Sequence, residues 1–176
     1  MLIDELKNIA RNNGIVGAGG AGFPAYAKMT EKADTVILNC VECEPLLKLH
    51  RQLLATHTEE IIQMLDEVRE SFGAKEAVIG IKSEYVTTIK AIEEVIGDFP
   101  NVRICALKAA YPMGDEVVLI YEATGRVIKP GGLPIDENVV VYNVETMYNL
   151  YRAVHLNIPV TNKLVSIVGE IDHPLT

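Results

Sequence analysis

Residues 14–28 read GIVGAGGAGFPAYAK, and Gly17-Ala18-Gly19-Gly20-Ala21-Gly22 places four glycines in six positions ahead of Phe23-Pro24. Without a Cβ, such a loop brings backbone N–H groups close to a ligand, at an entropic cost that ordinary connections avoid. Pro24 suits the first turn of a helix, whose free N–H groups favour an anion. The stretch predicts a nucleotide-like ligand on an α/β sheet, although the same glycines also suit a tight helix-to-strand connection. Gly17, Gly19 and Gly22 match the dinucleotide pattern GxGxxG, and Glu42 follows at about the spacing of its acidic residue. The flanks differ from that pattern. A helix precedes the loop, only Ile15 and Val16 offer strand character, and the next strand follows Pro24 closely. The expected fold is α/β, a Rossmann-like three-layer domain with a largely parallel sheet, atypical for the standard dinucleotide fold.

On either side of the loop, apolar periodicity alternates between helix and strand. Leu2, Leu6 and Ile9 predict a first helix capped by Gly14. Strands are expected at 34–39, 77–81, 102–107 and 139–142, and helices at 51–72, 85–96, 116–124 and 144–155. This alternation implies parallel strands covered by helices. Pro130, Gly131, Gly132 and Pro134 mark a rigid turn. Residues 164–171 (LVSIVGEI) predict a strand with no evident partner. The expected division is therefore 1–162 as one domain and 163–176 as the start of a following, absent one.

The chain has 176 residues, 49% of them hydrophobic, which fits one globular domain. A net charge of −8 and a pI near 5.0 argue against nucleic acid as a partner. No apolar run reaches the roughly 18 residues of a spanning helix, so direct membrane insertion is not expected. Three cysteines fit a reducing compartment better than a disulfide framework.

Asn39-Cys40-Val41-Glu42-Cys43-Glu44-Pro45 follows the strand of 34–39, where an open α/β sheet tends to hold its ligand. Its glutamates could accept hydrogen bonds from ligand hydroxyls, or form a solvated acidic loop. Cys40 and Cys43 form a CxxC pair, but no second pair completes a zinc site and the flanking glutamates disfavour thiolates. The histidines His50, His57, His155 and His173 lack ligand-like spacing. Tyr111-Pro112-Met113-Gly114-Asp115-Glu116 and Asn143-Val144-Glu145-Thr146 also follow strands. Asp115, Glu116 and Asn143 suit helix starts without any further role. Recurrence adds weight: three polar strand ends share one edge of a parallel sheet and would converge with the glycine loop on one crevice.

GAGGAGFPAYAK, NCVECEPLL, YPMGDEVVLIYEATGR, KPGGLP and NVETMYNL, in this order, resemble the flavin-binding domain shared by the NADH-oxidising subunit of respiratory complex I and its counterpart in the Rnf complex. Within that family, ECEPLL and YPMGDEV are most similar to propanediol-utilisation cobalamin reductases and related clostridial electron-transfer proteins. The resemblance implies FMN, hydride from NADH, and iron–sulfur clusters only in a missing carboxyl-terminal region. It implies a downstream acceptor protein or corrinoid, and a cytoplasmic setting, free, at a membrane complex or in a bacterial microcompartment. Carried over residue by residue, Gly17, Gly19, Gly20 and Gly22 match the loop against which flavin and dinucleotide lie. Phe23 matches an aromatic that stacks with NADH, and Lys28 a lysine near the flavin phosphate. Asn39, Glu42, Tyr111, Asn143 and Thr146 match flavin-side positions. Glu44 and Lys129 match NADH-side ones, and Gly114, Asp115 and Glu116 stand beside the flavin ring and nicotinamide. The chain departs from complex I at Met29 and Thr30, which replace an aromatic, at Val41 and at Tyr142. A flavin- or nucleotide-binding docking module without turnover is the alternative, and a purely structural domain a further one. No side chain is expected to act as a catalytic nucleophile or metal ligand.

Overall fold

The computed structural model describes residues 1–44 and 46–172. Four strands, β1 (Thr35–Cys40), β2 (Glu76–Lys82), β3 (Val102–Leu107) and β4 (Val139–Asn143), form one sheet. All pairings are parallel, in the order β3-β2-β1-β4. Val36, Ile37 and Leu38 of β1 are wholly buried, because β1 has a strand on either side and helices over both faces. Their side chains alternate: Val36 and Leu38 join one core and Ile37 the other.

On the first face lie α1 (Ile3–Asn12), α3 (Leu49–Thr56), α4 (Thr58–Phe72), α5 (Val86–Val95) and α7 (Val144–Leu156). The second face is covered by α6 (Glu116–Thr124), whose Leu119, Ile120 and Ala123 meet Ile37, Val78 and Val141. Gly80 in β2 is what lets α6 settle so closely, since a Cβ there would lie 2.5 Å from Leu119 Cδ1. The three layers and the parallel sheet agree with the sequence expectation.

Several local expectations need correction. The buried stripe of α1 is Ile3, Leu6 and Ala10, while Leu2 is exposed. The single helix expected over 51–72 is two helices broken at His57, because the buried Thr58 hydroxyl donates back to Leu54 O at 2.7 Å and competes with the helical ladder. The helix expected over 85–96 ends in a 3-10 turn at Ile96–Asp98. Among the described residues, 164–171 form no strand of the sheet. Ile167 makes only an isolated bridge, and Leu164, Val165, Ile167, Val168 and Ile171 stay exposed. Pro45, His173 and the rest of 173–176 lie outside the described residues.

The strand order positions a site. From β1 the chain runs to β2 and β3 on one side, then returns to β4 on the other, so its direction reverses between β1 and β4. Connections diverge there and leave a crevice beyond the carboxyl ends of those strands. The register pairs Asn39 with Asn143 at that crevice.

Candidate functional site

The glycine loop closes on itself before meeting the sheet. Val16 bridges antiparallel to Pro24, Gly17 N–H donates to Phe23 O at 2.7 Å, and Gly22 N–H donates to Gly17 O at 3.2 Å. Gly20 and Gly22 have φ of +128° and +63°, which a side chain would strain. Gly19 is constrained by space, since a Cβ there would lie 2.9 Å from Asn143 Nδ2. The loop is tied across the crevice by Ala18 N–H, which donates to Thr146 Oγ1 at 2.9 Å. A one-turn helix, α2 (Ala25–Lys28), follows and delivers Lys28 to the crevice.

The strand-end turns complete the walls. Asn143 caps α7 through Oδ1, which accepts Thr146 N–H at 2.8 Å. Asn39 is pinned at both ends of its amide, donating from Nδ2 to Gly114 O at 3.0 Å and accepting Val41 N–H at 3.0 Å. A Cβ on Gly114 would fall 2.2 Å from Val41 O, so glycine there permits the α6 turn to approach β1. Between these walls lies a cavity of about 280 Å³. Gly17, Gly19, Phe23 and Lys28 line one side, and Asn39, Glu116, Asn143 and Thr146 the other. Ala21, Ala25, Val141 and Tyr142 fill the gaps, and sequence patterning singled out none of them as wall.

Lys28 Nζ lies 3.5 Å from Glu116 Oε1, donates to Val141 O at 3.3 Å, and sits 5.9 Å from the Phe23 ring centre. Both ends of that ion pair are partly exposed, so it costs little to part. A second cavity of about 540 Å³ adjoins the first and shares Phe23, Lys28, Glu116 and Val141 with it. Its far wall is Leu133, Pro134 and Ile135, with Thr30 and Lys32 at its side. The KPGGLP motif pointed to this segment, but through Lys129, which is exposed and lines neither cavity.

Other expected residues also stand apart from the cavities. Glu42 is buried; it accepts His50 N–H at 2.8 Å and lies 3.6 Å from Arg51 Nε. Burial raises its carboxyl pKa, which the His50 N–H and the Arg51 charge offset only in part. Asp115 caps α6, accepting from Val117 and Val118. Glu44 is exposed, and Tyr111 is 84% exposed. Cys40 is buried, which pushes its thiol out of the thiolate range. Among the described residues, no helix is long and apolar enough to cross a membrane, and no His, Cys, Asp or Glu cluster is placed to hold a metal ion.

This geometry has counterparts. The chain is 39% identical over 171 residues to the cobalamin reductase PduS of Citrobacter freundii, a match covering 97% of this chain and 38% of that protein. It is 33% identical over 178 residues to one subunit of the Na(+)-translocating ferredoxin:NAD(+) oxidoreductase complex of Acetobacterium woodii, covering 98% of this chain and 40% of that one. The chain thus spans about two fifths of the length of these relatives. An NAD+-reducing NiFe hydrogenase, 24% identical, shares the fold with a TM-score of 0.72 over 86% of this chain and 30% of its own. The Nuo51 FMN-binding domain model matches residues 10–152, from the end of α1 through the glycine loop and all four strands into α7, and the chain belongs to that family.

Proposed function

We propose that this chain binds FMN in the first cavity, takes hydride from NADH held in the adjoining one, and serves an electron-transfer protein whose iron–sulfur clusters lie in a later region. The observation that carries this is the convergence of four separate segments on one cavity at the reversal of strand order, with Lys28 in its wall. The donor set suits FMN. Lys28 supplies a cation for the phosphate, Gly19 leaves space beside Asn143, and Asn39 and Asn143 offer amides held in fixed orientation. When bound, FMN supplies the chemistry, since its ring accepts a hydride and releases electrons singly.

The chain's own residues bind and orient. Gly17 and Gly19 present a flat backbone surface, and Thr146 holds that surface to α7 through Ala18. Phe23 is 48% exposed at the border of both cavities, where its ring can stack on a dinucleotide. Glu116 stands at the same border and forms an ion pair with Lys28. Electrons would pass to an acceptor protein or a corrinoid.

The test is to purify the chain with FMN, look for retained flavin absorbance, and add NADH anaerobically. Retention followed by bleaching is expected, and failure to hold FMN at about micromolar concentration sinks the proposal. A second reading, a flavin-holding docking module without turnover, is favoured by the second cavity. Met29 is buried, and Thr30 and Leu133 stand on walls where stacking rings would hold a dinucleotide better. Bound flavin that NADH leaves oxidised would decide for it.

A further inference from the structure

We infer that His50, in its neutral form, aims the Asn143 amide into the flavin cavity and is thereby a positioning residue for the cofactor. The inference rests on the flavin reading of that cavity. Asn143 Oδ1 is committed twice, accepting the Thr146 N–H at 2.8 Å and the Thr146 hydroxyl at 2.8 Å. The Thr146 hydroxyl in turn accepts Ala18 N–H at 2.9 Å. These contacts fix which end of the amide is nitrogen, and Asn143 Nδ2 then lies 3.2 Å from His50 Nε2. An amide nitrogen only donates, so Nε2 must accept and the ring proton resides on Nδ1. One Nδ2 hydrogen is taken by His50. The other is left for the cavity, beside Gly19.

An imidazolium at this position would set N–H against N–H. Asn143 cannot answer by flipping, because its NH2 would then face the Thr146 N–H and α7 would lose its cap. The charged groups around His50 are Arg51 on its own helix, Glu42 from the turn after β1, Glu145 on α7 and Lys163 beyond it. Burial lowers the pKa of the imidazole; Glu145 pulls it up and Lys163 down, and those two are paired with each other. The folded state therefore favours neutral His50. Its hold on Asn143 is present above the usual histidine range and lost as pH falls through the lowered pKa.

FMN titrations by flavin fluorescence, in the wild type, His50→Gln and His50→Leu, test this. Glutamine keeps an acceptor near the place of Nε2 and does not titrate. At about pH 7.5 His50→Gln should hold FMN within about twofold of wild type, and His50→Leu about tenfold less tightly. As pH falls through the His50 titration followed by side-chain NMR, the wild type should weaken about fivefold relative to His50→Gln. That ratio is the quantity to read, because the FMN phosphate itself titrates near about pH 6. Equal affinities for the glutamine and leucine variants, or a flat ratio, overturn the role of His50. Side-chain NMR of the flavin-free wild type should show the Nδ1–H tautomer and an Asn143 amide that shifts as His50 titrates. An amide indifferent to that titration overturns the inference whether or not FMN binds. No FMN binding with the NMR coupling intact refutes the flavin site and the cofactor role of His50, while the orientation of Asn143 stands.

Discussion

The glycine loop and the turn after β1 are both short segments at the same end of the sheet, yet one becomes a cavity wall and the other folds beneath a helix. In the loop, absent side chains let backbone line the crevice, and the hydrogen bond to Thr146 holds it there. In the turn, the Glu42 carboxylate is drawn under α3, to the His50 N–H and the Arg51 guanidinium. Glu116, from the α6 turn, takes the opposite course and reaches Lys28 in the cavity. A carboxylate at a strand end goes to whichever donors the fold brings near it.

That contrast can be broken most forcefully at Lys28. Lys28→Glu sets a second carboxylate beside Glu116 and against the flavin phosphate, and FMN affinity should fall at least about a hundredfold. Equilibrium dialysis with flavin absorbance reads this directly, and unchanged affinity would remove Lys28 from the site. Gly19→Ala should cost less, about tenfold in FMN affinity, because its Cβ displaces the Asn143 amide without adding a charge to the site. No loss there would mean that the loop contributes flexibility and not closeness.

Glu42 gives the smallest and most selective effect. Its raised pKa means that the folded state binds the proton more tightly than the unfolded chain does. The stability contributed is therefore present at low pH and lost as pH rises through the raised value. Thermal melts of the wild type and Glu42→Gln should diverge as pH rises through the raised value, the variant gaining stability relative to the wild type. FMN affinity should move less than for Gly19→Ala. Divergence of the opposite sign would show that Arg51 keeps the carboxylate ionised, and a large loss of FMN would put Glu42 at the flavin.

Much of this was legible beforehand where local rules are strong. Val36-Ile37-Leu38 and Val139-Val140-Val141 announce buried parallel strands, and Asn143 sits as a helix cap ahead of Thr146. The break at His57 was not legible, because it depends on the Thr58 hydroxyl turning inward to Leu54 O. Nor was the fate of Leu133, which proline and glycine neighbours marked only as part of a turn but which forms a wall of the second cavity. The apolar run at 164–171 reads as a strand by composition, yet it stays outside the four-stranded sheet and keeps only a bridge at Ile167.

Period, caps and positive φ act within a few residues, so the layered α/β class, the polar turns after the strands and the glycine positions are all written locally in the chain. Which of those turns meet is a matter of packing. The reversal of strand order between β1 and β4 sets Asn39 beside Asn143, brings Thr146 under the glycine loop and turns His50 toward the same amide. Those residues are far apart along the chain, and their meeting depends on how strands and helices pack, which no local pattern encodes.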